Sequence, residues 1–177
     1  KDYLKYLRRY RMDYYFLNIT TDIGVPTCAC VLIDAAGEEP IITVGGGSGF
    51  SFKELIYQSA GEALAIHAGV SSRAAHVLPA GYEPFTNRTV GRNERLSLWR
   101  GREMCERFRF FVSGARQSFE GFMGDTVWHD TSAKQLAYVL GRFRQLGAGY
   151  EAYIFEAAHP VLKTLGYTAV KAVVPRL

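Results

Sequence analysis

Long apolar runs are missing from this chain. Its most hydrophobic stretch, Cys28 to Ile33, falls far short of the ~20 residues that a membrane-crossing helix needs. The expectation is a cytoplasmic protein with no membrane association. Cysteine is scarce, with three in 177 residues and two of them in Cys28-Ala29-Cys30. That number excludes a disulfide scaffold and fits a reducing compartment. No His or Cys stands at zinc spacing from the pair, so Cys28 and Cys30 are expected as two small buried hydrophobes on one face of a strand. An extended positive field is missing too. Residues 1–11 hold five basic side chains and one acidic, which accounts for the net charge of +4, and the remaining residues balance at sixteen of each sign. Nucleic acid is therefore not an expected partner. There is no initiating methionine and no signal-type segment, which predicts an interior or trimmed piece of a longer chain.

Familiar catalytic fingerprints are absent as well. Gly45-Gly46-Gly47-Ser48-Gly49 is followed by Phe50, which breaks the dinucleotide pattern, and no Gly-Lys-Ser/Thr follows to make a P-loop. His129 and Asp130 invite a triad with Ser113 or Ser118, yet neither serine lies in a Gly-x-Ser-x-Gly elbow and Asp130 is better used as a helix cap.

What is present is ordinary globular composition, 48% hydrophobic and 21% charged, in a length that buries about 70% of its unfolded surface. Leu4, Leu7, Arg8 and Arg11 recur at helical spacing, so residues 2–12 predict an amphipathic helix. Strands are predicted over Tyr14 to Ile19, Thr27 to Asp34 and Ile41 to Val44, with turn chemistry at 20–26 and a hairpin connection at 35–40. The glycine run comes next. As a loop ahead of a helix it is either an anion-binding backbone site or a flexible connection.

The following helix has a well-written start. Ser51 and Glu54 form a capping box, Phe50 and Leu55 a hydrophobic staple, and the helix is expected over about 52–68. A long loop is expected at about 69–92, an arginine-rich helix over 96–112, and a helix capped by Asp130, Thr131 or Ser132 that runs to Leu146. A strand over 150–155, a short helix opened by Pro160 and a strand over 167–174 complete the chain. The fold class is α/β (α+β), in the order αβββα, then helices, then βαβ.

Glu54, Gln58 and Glu62 fall at i, i+4 and i+8, a polar stripe on an otherwise apolar helix. Glu54 has a structural use in the capping box. Glu62 has no Lys or Arg at i±3 or i±4, so it is either solvated or paired with something from elsewhere, such as Mg²⁺. Gly61 in mid-helix points to a close approach there. His67 lies about 140° around the helix from Glu62 and is not expected to share a ligand with it. Between Arg88 and Arg116, eight arginines meet three glutamates, which predicts a salt-bridged, solvated helix.

The string Leu17-Asn18-Ile19-Thr20-Thr21-Asp22-Ile23-Gly24-Val25-Pro26-Thr27 resembles the "D-L-T-x-D-x-G-I-P" segment of the YcaO family, ATP-dependent enzymes that activate peptide backbone amides. A short hairpin, Gly47-Ser48-Gly49 and a capped helix follow in the family's order, and Ala60-Gly61-Glu62-Ala63 is similar to its "A-L-x-E". The end, Leu165 to Leu177, resembles "L-G-x-x-V-V-K-V-V-V-P-G-L", and Trp99 with Phe110 to Gly114 resembles the middle of azoline-forming members.

The resemblance implies that residues 1–177 are one partial YcaO-like domain, the later half of the family's domain. It also implies a fold that binds ATP and Mg²⁺, with Glu62 toward the metal and Gln58 and Glu54 as neighbours in nucleotide binding. The implied function is that of a cyclodehydratase component that closes Cys, Ser or Thr of a ribosomally made precursor peptide into thiazoline or oxazoline rings. The implied partners are that peptide and a leader-peptide-binding protein. Self-association is expected on a separate ground, because a truncated sheet would expose an edge. Where many members carry a second acid or Gln three residues after the helix glutamate, and an Arg nearby, this chain has Ala65, Ile66 and His67. The alternatives are a noncatalytic peptide- or partner-binding module and a thioamide-forming relative. Without the family's earlier half, the chain alone is expected to be inactive.

Overall fold

The computed structural model describes residues 5, 7, 9–34, 36, 41–72, 86, 91, 95–96, 98–157 and 159–175. Residues 2–4, 6 and 8 of the expected N-terminal helix and most of the 35–40 connection and of the 69–92 loop lie outside them, as do Arg88, Arg92 and Glu94. Two compact units are present, one formed by 1–21 and 25–128, the other by 22–24 and 129–177.

The first unit is built on three antiparallel strands in the order β1 (Met12–Asn18), β2 (Thr27–Asp34), β3 (Ile41–Ser48). β2 has the expected limits, because its apolar run is bounded by Pro26 on one side. Its alternate residues feed two cores. On one face Cys30 and Leu32 pack with Leu7, Ala60 and Ala63, and on the other Val31 packs with Ile42 and Phe108. Helix α1 (Phe52–Ser72) supplies the first core and helix α2 (Arg102–Val112) the second, so the sheet lies between two helical layers. Lys5, Leu7 and Arg9 are helical and Leu7 is fully buried.

Several expectations are corrected. β1 starts at Met12, so the strand takes over where the N-terminal helix was expected to continue. α1 runs to Ser72, past the expected end at Ala68. The helix expected over 96–112 is broken: Arg95 and Leu96 are helical, but α2 starts at Arg102, because Gly101 takes a positive φ of 95° and Arg100 bridges to Ile41, while Ile42 N–H donates to Trp99 O at 2.9 Å. A short helix α3 (Phe119–Asp125), capped by Ser118, was not foreseen. It brings Phe119 and Phe122 against Phe52, which also meets Trp128 edge-on at 6.0 Å between ring centres.

The second unit contains helix α4 (Ser132–Leu146), strand β4 (Tyr153–Ala157), helix α5 (Pro160–Thr164) and strand β5 (Ala169–Val173). Of the three candidate caps, Thr131 caps α4 by accepting from Lys134 N–H at 3.3 Å, and Gly147 at φ 90° ends it. Asp130 pairs with Lys134 at 2.8 Å, which holds its carboxyl below the usual range. The turn Asp22–Gly24 belongs to this unit. Arg142 donates from Nε to Ile23 O at 3.1 Å and from Nη2 to Asp22 O, and Tyr138 Oη donates to Gly24 O at 3.3 Å. Gly24 is required by its φ of 78°, and a Cβ there would press on Tyr138 Oη.

β4 and β5 pair antiparallel as a two-stranded sheet, Tyr153 opposite Val173 and Phe155 opposite Lys171. The expected strand limits shift to 153–157 and 169–173. Tyr153, Phe155 and Val173 are exposed on one face, Ile154 and Val170 on the other.

Candidate functional site

α1 crosses β3 with backbone directly on backbone at Gly45 and Gly47. A Cβ at Gly45 would fall 2.2 Å from Ala63 N and 2.3 Å from Ser59 O, and one at Gly47 would fall 2.7 Å from Leu55 O. The glycine run is therefore neither an anion-binding loop nor a flexible connection. Gly45 to Gly47 belong to β3, and at Gly45 and Gly47 the lack of a side chain lets helix backbone rest on strand backbone.

This packing sets the faces of the helix. Leu55, Ser59, Ala60 and Ala63 are buried, which leaves Glu54, Gln58 and Glu62 together on the exposed side. Ser51 caps the start by accepting from Glu54 N–H at 3.4 Å, the Ser51 half of the expected box, and Phe50 and Leu55 are both buried. Glu62 reaches over the edge of β3, where its Oε2 accepts from Gly46 N–H at 2.5 Å. Among the described residues it forms no ion pair.

The close approach expected at Gly61 is not there, since nothing described lies within 4 Å of a Cβ built on it. Gly61→Ala is accordingly expected to raise stability by about 0.5–1 kcal/mol, the ordinary helix preference for alanine, which urea unfolding measures.

His67 sits on another face of α1 and meets Asp34 at 3.1 Å. Ala65 is exposed. Cys28 and Cys30 are buried as expected, and burial, with Cys28 alongside, pushes the Cys30 thiol up to about 12. Burial also raises Cys28, against a hydrogen bond with Ser59. Both thiols stay protonated and inert. Ser113 turns its hydroxyl back to Phe110 O at 2.9 Å and Ser118 caps α3, so both serines have local structural partners. In the arginine-rich helix Arg107 pairs with Glu103 at 2.7 Å, one of the neutralising pairs the spacing predicts.

Sequence reasoning missed Gly46, whose contribution is a backbone N–H and carries no residue-type signal. It also missed Arg142 and Tyr138, whose partners lie more than a hundred residues earlier.

A family model described as "YcaO cyclodehydratase, ATP- and Mg²⁺-binding" matches residues 1–177. The chain belongs to the YcaO family. Among solved structures this YcaO chain is similar to one described as "Heterocyclase in complex with substrate and Cofactor", at 17% identity and a TM-score of 0.70, over 98% of this chain and 21% of that one. It is similar also to the heterocyclase TruD, at 18% identity and a TM-score of 0.63, over 98% of this chain and 22% of that one. The mixed α/β fold is thus shared with heterocyclases, and the chain spans about a fifth of their length. A search of curated proteins gives no match. No helix among the described residues is long and apolar enough to cross a membrane.

The residues present fit a magnesium-nucleotide in part. No group of three or more His, Cys, Asp or Glu that could hold a metal is gathered among the described residues. That is a poor cage for zinc or calcium, but Mg²⁺ takes one or two carboxylates and completes its octahedron with water and phosphate oxygens. An exposed, hard oxygen donor such as Glu62, with Gln58 and Glu54 on the same face, suits that demand.

Proposed function

We propose that this YcaO chain contributes the glutamate-bearing helix of an ATP- and Mg²⁺-dependent cyclodehydratase. Its substrate would be a ribosomally made precursor peptide whose Cys, Ser or Thr residues close into thiazoline or oxazoline rings. The observation that carries the reading is the solvent-facing Glu62 carboxylate, anchored at Gly46 N–H, on a helix within a chain matched throughout by the family model. Glu62 would hold the metal, with Gln58 and Glu54 facing the nucleotide beside it. Bound Mg²⁺-ATP supplies the phosphoryl group that makes an amide oxygen a leaving group, with the metal neutralising the phosphates. Residues 1–177 are read as the later part of the family's domain, so the other cationic and acidic contacts come from polypeptide outside this chain. A leader-binding protein is the expected partner that delivers the peptide. The β4–β5 sheet, which exposes large apolar side chains on both faces, supports self-association, because a two-stranded sheet alone is marginal in water.

Isothermal titration of Mg²⁺-ATP tests the reading. Glu62→Ala is expected to weaken binding by about tenfold or more, or roughly 1.4 kcal/mol and upward. The Gly61→Ala variant should bind as the unaltered protein does. Undiminished affinity in Glu62→Ala would remove Glu62 from the site.

A second reading, a noncatalytic peptide- or partner-binding module, is favoured by Ala65 and Ile66, which stand beyond Glu62 where many relatives carry a further acid or amide. It predicts partner capture that does not depend on nucleotide.

A further inference from the structure

The glycine run has three members inside β3, and packing alone accounts for two of them. Gly45 and Gly47 face α1 and leave no room for a side chain. Gly46, between them, points to the other face of the sheet, is exposed, and has only Glu62 Oε2 near its notional Cβ, at 3.8 Å. Its contribution is the N–H.

The outward edge of β3 shows how that donor is aimed. N–H groups of alternate strand residues leave by the same edge. Ile42 N–H goes to Trp99 O at 2.9 Å, and Gly46 N–H, four residues on, goes to Glu62 Oε2 at 2.5 Å. At the helix end the Glu62 backbone is equally constrained, since a Cβ on Gly45 would lie 2.9 Å from the Glu62 carbonyl carbon. The side chain is thus tethered at both ends, at its backbone by Gly45 and at one carboxylate oxygen by Gly46. A charge-assisted bond of this kind is about twice as strong as a neutral one.

We propose that the glycine strand is the positioning device for Glu62, with Gly46 N–H holding Oε2 and so fixing the orientation in which the carboxylate meets a metal ion. This suits Mg²⁺, which demands near-ideal octahedral geometry and gains from a carboxylate whose orientation is set before it arrives. Gly45 and Gly47 are positioning residues in the same sense, because they let the helix come near enough for Glu62 to reach the strand. The inference rests on the nucleotide-metal reading of Glu62 given above.

The test uses protein labelled with ¹⁵N-glycine, with the Gly46 amide resonance read before and after addition of Mg²⁺-ATP. Glu62→Ala supplies the position of the unbonded amide, which is expected upfield. If Mg²⁺-ATP binds and the Gly46 amide keeps its hydrogen-bonded position, the carboxylate has stayed on the strand, as proposed. If binding moves the amide to its position in Glu62→Ala, the carboxylate leaves the strand to meet the metal and the proposal is overturned.

Titration of two variants separates the inference from the reading beneath it. Gly46→Pro removes the N–H at a strand edge that tolerates proline, and should weaken Mg²⁺-ATP binding by roughly 10–100-fold, the usual cost of losing a partner that orients a ligand. Gly46→Ala keeps the N–H and should retain binding. Loss in Glu62→Ala with full binding in Gly46→Pro would sink the positioning role and leave the metal site standing. Full binding in both would sink the metal site as well. The amide measurement on unaltered protein decides the matter even where Gly46→Pro does not fold.

Discussion

Phe108→Ala is expected to lower the stability of the first unit by about 3–5 kcal/mol, the range for an aromatic removed from a closed core. Phe108 is 5% exposed and stands at the centre of the α2-facing core, with Val31 and Ile42 of the sheet beneath it. Its ring meets Trp99 edge-on at 5.1 Å and stacks on Phe111 at 4.9 Å, so truncation removes burial and two aromatic pairings together. Phe110 and Phe111 are themselves exposed and meet each other at 4.1 Å in a tilted pair, which swinging in to fill the space would break. Urea unfolding followed by tryptophan fluorescence measures the change. A loss below about 0.5 kcal/mol, the cost of a surface substitution, would show that α2 does not cover the sheet.

Gly45→Ala is the second large effect, and its origin is opposite, since it adds a methyl group where there is no room. The new Cβ would meet backbone, Ala63 N at 2.2 Å and Ser59 O at 2.3 Å, and backbone cannot rotate away as a side chain can. α1 must lift from β3. The expected cost is about 1–3 kcal/mol by analogy with overpacked cores, read as a shift in the urea midpoint. Gly61→Ala, the same substitution in the same pairing of elements, is expected to move that midpoint the other way. Equal effects from the two would show that α1 does not rest on the strand.

These two glycines also show where the sequence could be read and where it could not. Thr27 to Asp34 was legible because an apolar run with proline before it has few alternatives to a buried strand. β3 was legible only to Val44. Glycine has low strand preference, and what makes 45–47 a strand is a helix crossing it, which is information held at Ser59 and Ala63 rather than nearby. The start of α2 was misplaced because the helical residues Arg95 and Leu96 were read as continuous with it, whereas Gly101 breaks the run with a backbone angle that composition does not show. α3 has seven residues, too few to display a period.

At the candidate site, the alignment of Glu54, Gln58 and Glu62 on one face followed from their spacing alone. The strand edge that receives Glu62 did not, because a main-chain donor looks the same in every residue. In the second unit, nothing near Arg142 announces that it holds Asp22 and Ile23.

That arginine has a further consequence, for ionic strength. Its guanidinium bonds to the carbonyls of Asp22 and Ile23 and to the side-chain oxygen of Gln145, all neutral acceptors. Dissolved salt weakens an exposed pair of opposite charges, such as Glu103 with Arg107, by screening each from the other. A cation held by dipoles at hydrogen-bond distance offers counterions much less to screen. Brine that loosens the charged surface of α2 should therefore leave the Asp22–Gly24 turn fastened to α4.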